Sequence, residues 1–377
     1  MGARTMSRGR LLRSRFLVGL VLLACGCETP SDLEEATFGP GEELLGTELA
    51  AGWATTSPTW TPDGEEVVFL DEVDEGLAVH ALTVATDEVR SLSVPVPLLY
   101  RDSNTTVIPP ATGAPLFSVR HSALPDSDGV LPMRLYRVSS PASVPELVTD
   151  MRGPWFSVSE DGRHIAFLRD SLVVRDRVSG EERSARAGHR RPGNPFSLSP
   201  DGRWLIYADE SVSGFGPVKM FSLETEATFD LWPGTEEVED RRAWSQDVRW
   251  QGGTPRLLFA QQEGPRRFSV NRMDGATGRV HRLAEIPDAE ALPRVIAWSE
   301  DASRVALWAP IETAPCECGV SITLDHLRLY VWTAERGWAT AAEAVSIQHI
   351  PGWLSFSPDG TTLGYTFMSR LYVERLD

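Results

Sequence analysis

One short hairpin recurs along most of the chain and fixes what the chain can become. Its fullest copy is Asn194 to Glu210, NPFSLSPDGRWLIYADE. Phe196 and Leu198 alternate with polar residues, Ser199-Pro200-Asp201-Gly202 reads as a tight turn, and Trp204 to Ala208 supplies an apolar return strand. The turn has a mechanism. Pro200 presets φ at its first central position, Asp201 bonds nearby backbone, and Gly202 takes a positive φ without steric cost. The pattern returns as WTPDGEEVVFL from Trp60, FSVSEDGRHIAFL from Phe156, IAWSEDASRVALW from Ile296 and LSFSPDGTTLGYTF from Leu354. Weaker copies, VIPPATGAPLFSV from Val107 and VRWQGGTPRLLFA from Val248, fill the gaps. The mean spacing of the seven turns is about 49 residues, a propeller-blade period.

The expected fold is therefore all-β: a seven-bladed β-propeller, with six or eight blades as the neighbouring counts. Each unit parses into four strands, a to d, outward from the axis. In the last unit Trp353 to Ser357, Thr362 to Met368 and Leu371 to Asp377 give strands a, b and c, and no fourth follows. An open sheet edge is a liability, and propellers close the ring with a strand from the other terminus. Glu43 to Ala50, ELLGTELA, is the expected partner of Leu371 to Asp377, so the propeller domain is expected to span residues 43–377.

The turns Thr61-Pro62-Asp63-Gly64, Ser199-Pro200-Asp201-Gly202 and Ser357-Pro358-Asp359-Gly360, each after an aromatic or apolar strand, resemble the WD40-like PD40 repeats of TolB-type propellers. The resemblance covers roughly residues 57–377 and implies a fold, because propellers host unrelated activities. TolB resembles an α/β domain followed by a six-bladed propeller. Only a short segment precedes the first repeat here, so the resemblance is to the propeller alone.

Residues 1–25 read as a lipoprotein signal peptide. Arg4, Arg8, Arg10, Arg13 and Arg15 form a positive n-region, and Phe16 to Leu23 is an apolar stretch too short to span a bilayer. Leu22-Leu23-Ala24-Cys25 resembles a bacterial lipobox, with Cys25 as the acylated residue and Cys27 as the alternative. Residues 26–42 are polar and acidic and read as a tether. The expected place is the cell envelope: anchored to a bacterial membrane, the outer one favoured, facing periplasm or cell surface. The net charge of −17 disfavours nucleic acid and anionic headgroups as partners.

The search for chemistry is mostly negative. No G-x-S-x-G, H-E-x-x-H, C-x-x-C or P-loop pattern occurs, and the seven histidines are dispersed. The turn aspartates recur at one topological point, which is turn chemistry, not a ring of acids. Cys316-Glu317-Cys318 can form a local disulfide, a redox pair or half of a soft-metal site, with a structural staple as the plainer reading. No catalytic residue, cofactor or metal is expected. The expectation is a monomeric, non-enzymatic scaffold binding a protein or peptide, with a lactonase- or glycosidase-like hydrolase as the alternative. Long b–c connections mark the partner surface: Ser122 to Pro132, Ser211 to Pro217 and Ile311 to His326 are expected to project from one face. They bring Asp126, Asp128, Phe215 and Glu317 to it.

Overall fold

A computed structural model of the chain describes residues 46–47, 56–73, 76–86, 88–96, 105–108, 115–120, 132–140, 143–153, 155–185, 196–208, 218–232, 243–251, 254–264, 266–275, 277, 279–291, 293, 295–315, 323–347, 353–367 and 370–376. These residues form seven sheets, the blades of a propeller, each built around antiparallel strands that are consecutive in the chain. Blade 3 shows the plain unit, with strands Phe156–Val158, His164–Leu168, Leu172–Asp176 and Glu182–Ala185. The expected all-β propeller and its blade number are both seen.

The ring closes as the unfinished last repeat requires. Blade 7 takes Trp353–Phe356, Thr362–Phe367 and Arg370–Arg375 from the end of the chain. Its fourth strand is Gly46–Thr47, antiparallel, with Gly46 opposite Tyr372 and Thr47 opposite Leu371. The chain then meets a second blade before its own first strand begins. Thr56–Ser57 pairs in parallel with Thr105–Thr106, on the inner strand of blade 2. Gly46–Thr47 and Thr56–Ser57 thus add to blades 7 and 2, on either side of blade 1.

The recurring turn is a small hydrogen-bonded device. In blade 4 the Ser199 hydroxyl donates to Asp201 Oδ1 at 2.6 Å and accepts from the Trp204 amide at 2.9 Å. Asp201 Oδ1 also accepts from the Arg203 amide at 3.1 Å. Gly202, at φ 67°, donates its N–H to the Ser199 carbonyl. The Ser or Thr to Asp bond repeats at Thr61–Asp63, Ser159–Asp161, Ser299–Asp301 and Ser357–Asp359. The turn thus pairs the amides of Gly202, Arg203 and Trp204 within a few residues, which is why the motif survives in so many blades.

Between blades the core is a series of apolar seams. Phe156, Ile165 and Phe167 of blade 3 pack with Met133, Leu135 and Met151 of blade 2. Trp308 of blade 6 lies edge-on to Tyr365 of blade 7, ring centroids 5.7 Å apart, and both are buried. Alternation along each strand feeds two seams at once: in blade 6, Leu327, Leu329 and Val331 face blade 7, while Leu307, Ala309 and Tyr330 face blade 5.

Candidate functional site

Blade 6 is not a copy of blade 3. Its outer strands, Arg304–Pro315, Thr323–Thr333 and Gly337–Ile347, have 12, 11 and 11 residues, against 5, 5 and 4 in blade 3. Its inner strand, Val295–Trp298, begins opposite Trp308. Residues 309–315 therefore run on past the start of the inner strand, and at about 3.3 Å per residue they extend roughly 20 Å. Pairing continues out to Pro315 opposite Thr323, and Leu324 is opposite Ile347. Of the segment Ile311 to His326, expected as a loop insertion, residues 311–315 and 323–326 continue the strands of the blade, and residues 316–322 lie outside the described residues. The extended sheet projects from the face of the b–c and d–a connections, the face the sequence marked for a partner.

Polar side chains gather where this sheet faces blade 5. His326, Arg328 and Tyr330 alternate with Leu327, Leu329 and Val331 and so share one side of the strand. Arg328 lies opposite Glu343, and its Nε donates to Glu343 Oε1 at 2.6 Å. Glu343 Oε2 is 3.5 Å from His326 Nε2. Arg328 Nη1 donates to the Tyr330 hydroxyl at 3.2 Å and stands 3.5 Å from Asp288 Oδ2 on the connection from blade 5. Burial pushes the Tyr330 phenol above its usual range, so it remains protonated and serves as a hydrogen-bonding group, not a base. The Glu290 amide donates to the Pro310 carbonyl at 2.8 Å, fastening the connection to the projecting strand. Arg266, at the blade 5 hairpin, reaches Glu290 at 3.4 Å. Behind it Arg282 bridges Glu263 and Glu285 at 3.2 and 2.9 Å. The more exposed of these pairs, those of Arg266 and Arg282, contribute about 0–1 kcal/mol each, so they add little to stability and suit recognition of a polar partner.

The axis offers a different surface. The described side chains of the inner strands are Thr59 and Trp60, Phe156 to Val158, Phe196 to Leu198, Trp250, Val295 to Trp298 and Trp353 to Phe356; none is acidic or a histidine. Their free edges are partly capped across blades: Trp60 Nε1 donates to the Ser355 carbonyl, Trp250 Nε1 to the Ser197 carbonyl, and the Leu198 amide to Ser157 Oγ. Among the described residues no three His, Cys, Asp or Glu side chains come together as a metal site.

The residues singled out from sequence, Cys25, Cys27, Asp126, Asp128, Phe215, Cys316, Glu317 and Cys318, lie outside the described residues. Sequence reasoning passed over His326, Arg328 and Glu343. Their signal was the alternation in HLRLYVW, where every second residue from His326 is polar-capable and every other one is apolar.

No protein-family model and no curated protein matches the sequence. Among solved structures the chain is similar to an oligogalacturonate lyase in complex with manganese, at TM-score 0.54 and 14% identity over 85% of this chain and 88% of that one. It is similar to the hydrazine synthase of Kuenenia stuttgartiensis, at TM-score 0.53 and 14% identity over 89% and 99%. It is also similar to the oligogalacturonate lyase of Vibrio parahaemolyticus, at TM-score 0.52 and 10% identity over 90% and 92%. At such identities the likeness is one of fold. It nonetheless corrects the expectation of a non-enzyme, which rested on missing motifs. Groups that converge on a propeller axis come from blades about 49 residues apart, so catalysis on this fold needs no contiguous motif, and enzymes use it.

Proposed function

We propose that this protein is a lipid-anchored propeller of the bacterial cell envelope that holds a protein or peptide partner along the projecting sheet of blade 6. One observation carries the reading: three strands continue well beyond what closing the ring requires, and their blade 5 side presents His326, Arg328 and Glu343 beside Asp288 of the connection from blade 5. A scaffold has no need of such an extension, and surplus structure on a rigid ring is where recognition is built. The positive n-region, short apolar stretch and Cys25 support anchoring, and the PD-G turns support a TolB-like kind of repeat. The test is co-purification from detergent-solubilised membranes. Replacing residues 311–326 by a short Gly-containing turn is expected to abolish capture while the ring still melts cooperatively. Undiminished capture overturns the assignment of the face. For the anchor, Cys25→Ala with Cys27→Ala is expected to release the protein from membranes, and unchanged pelleting and palmitate labelling would refute it.

A second reading is favoured by the fold shared with oligogalacturonate lyases: an enzyme acting on an oligosaccharide at the axis. Incubation with oligogalacturonate, with and without manganese, tests it through the ultraviolet absorbance of the double bond that elimination creates. Turnover would establish the enzyme, and no turnover in either arm would remove this substrate.

A further inference from the structure

The seam between blades 2 and 3 concentrates arginine in a chain of net charge −17. On the blade 3 side Arg175 and Arg177 continue the line of Val173, which packs into this seam. On the blade 2 side Arg137 continues the line of Met133 and Leu135. Most of these cations are matched. Arg175 and Arg169 share Glu182, and their guanidinium carbons sit 5.5 and 5.0 Å from the centre of the Phe167 ring. Arg163 holds Asp176 at 2.6 Å. Arg177 is the exception. It is half-buried, its Nη1 donates to the Gly162 carbonyl at 2.8 Å, and among the described residues it has no carboxylate partner.

Arg137 is matched only in part. One of its terminal nitrogens bonds Glu146, while its Nε–H is buried without an acceptor. Both side chains follow the seam-facing lines of their blades, Arg137 after Met133 and Leu135 and Arg177 after Val173 and Arg175; burial, and then the nearby charge of Arg137, hold the Arg177 guanidinium below its ordinary range. Half-burying an unpaired cation beside another is unfavourable, and an apolar side chain of similar length would fill the seam without that cost. A planar fork with free N–H groups has one well-matched ligand class, the oxyanion.

We propose that Arg137 and Arg177 form a binding site for a small oxyanion, a carboxylate or a phosphate, at the blade 2–3 seam. Gly162 belongs to an a–b turn, and Arg177 to the turn between strands c and d. The site therefore opens on the face opposite the blade 6 extension, and it stands whether or not that extension binds a partner.

The experiment is thermal melting and calorimetric titration of the full chain with phosphate and with acetate, against chloride at matched ionic strength. Phosphate or acetate is expected to raise the melting temperature above the chloride control, and the arm that does so tells a phosphate-bearing from a carboxylate-bearing ligand. Arg177→Met and Arg137→Met are each expected to weaken that binding by about tenfold or more, the loss of a charge-assisted contact. Arg163→Gln removes a neighbouring cation that already has its carboxylate, and is expected to keep the response. An equal response to chloride, retention of the response in Arg177→Met, or its loss in Arg163→Gln, which would mark general charge screening, overturns the site.

Discussion

Trp60 and Ser355, 295 positions apart in sequence, are joined by a hydrogen bond from the indole Nε1 to the carbonyl oxygen at 3.2 Å. The bond crosses from the first blade to the last. Trp250 and Ser197 make the same bond at the same length between blades 5 and 4. The closing seam is thus built like an ordinary one, and the joint between the two ends of the chain repeats the chemistry of an internal joint. Gly364 shows how tightly it is packed: a Cβ there would meet Trp353 at 2.7 Å and Trp60 at 3.2 Å.

Trp60→Phe keeps most of the buried ring and removes the donor. It is expected to destabilise the protein by about 1 kcal/mol, the net worth of one such bond, and Trp250→Phe by a similar amount. Denaturant unfolding monitored by far-ultraviolet circular dichroism measures both. A Trp60→Phe loss several times that of Trp250→Phe would show that the closing seam bears more of the ring's stability than an internal one.

Ala302 occupies the turn position that is Gly64, Gly162, Gly202 and Gly360 in the corresponding blades, and it adopts φ 59° where those glycines lie at 67° to 72°. A left-handed backbone costs an L-residue with a Cβ about 1–2 kcal/mol. Ala302→Gly is therefore expected to stabilise the protein by up to about 1 kcal/mol, after the larger unfolded-state entropy of glycine is offset. Thermal melting of the variant beside the parent decides it, and a lower melting temperature would contradict the strain.

The turns were legible in the sequence because their chemistry is local: Ser199, Asp201 and Gly202 satisfy one another within a few residues, and their recurrence sets the blade period. The closing strand was legible because the last repeat stops one strand short. The seams were not. Whether Trp60 reaches Ser355, or Trp250 reaches Ser197, depends on side chains about 50 to 300 positions apart. The strands that extend blade 6 were not legible either. Pro310 and Pro315 argue against a strand, since proline donates no ladder bond. Here Pro315 is the last residue of its strand, and the ladder shifts register just after Pro310. The strand absorbs both.

His80 predicts a pH dependence. It pairs across strands with Phe69, the rings stacked at 5.7 Å, and its Nε2 is buried without a partner. Burial holds its pKa below the ordinary value of 6.5. The folded protein keeps His80 neutral while the unfolded chain takes up a proton below about 6.5, so the unfolded state binds more protons there. Stability is full above that pH and falls as the pH drops from about 6.5 toward the folded pKa. The turn aspartates, led by their Ser or Thr hydroxyl bonds to values below the ordinary carboxylate range, lose their contribution only under more acidic conditions, below about pH 4. His80→Phe is expected to flatten the stability profile between pH 5 and 7, roughly the histidine window, and leave the acid limb in place. An unchanged slope in that window would assign it to another group.

Gly202 and Gly180 separate backbone strain from seam packing. Both take a positive φ, 67° and 74°. A Cβ on Gly180 meets nothing within 4 Å, whereas on Gly202 it would lie 2.3 Å from Nδ1 of His164, across the seam in blade 3. Gly180→Ala is therefore expected to cost about 1 kcal/mol from the backbone alone. Gly202→Ala carries that strain and must also displace a ring held between two blades, so a further loss of about 1–3 kcal/mol is expected from overpacking. Adding His164→Ala should recover most of the second part and none of the first, because it empties the space without relaxing φ. The double-mutant cycle reads this directly as a coupling between residues 202 and 164. Zero coupling would mean that the blade 3–4 seam yields freely and that the glycine is required only for the turn.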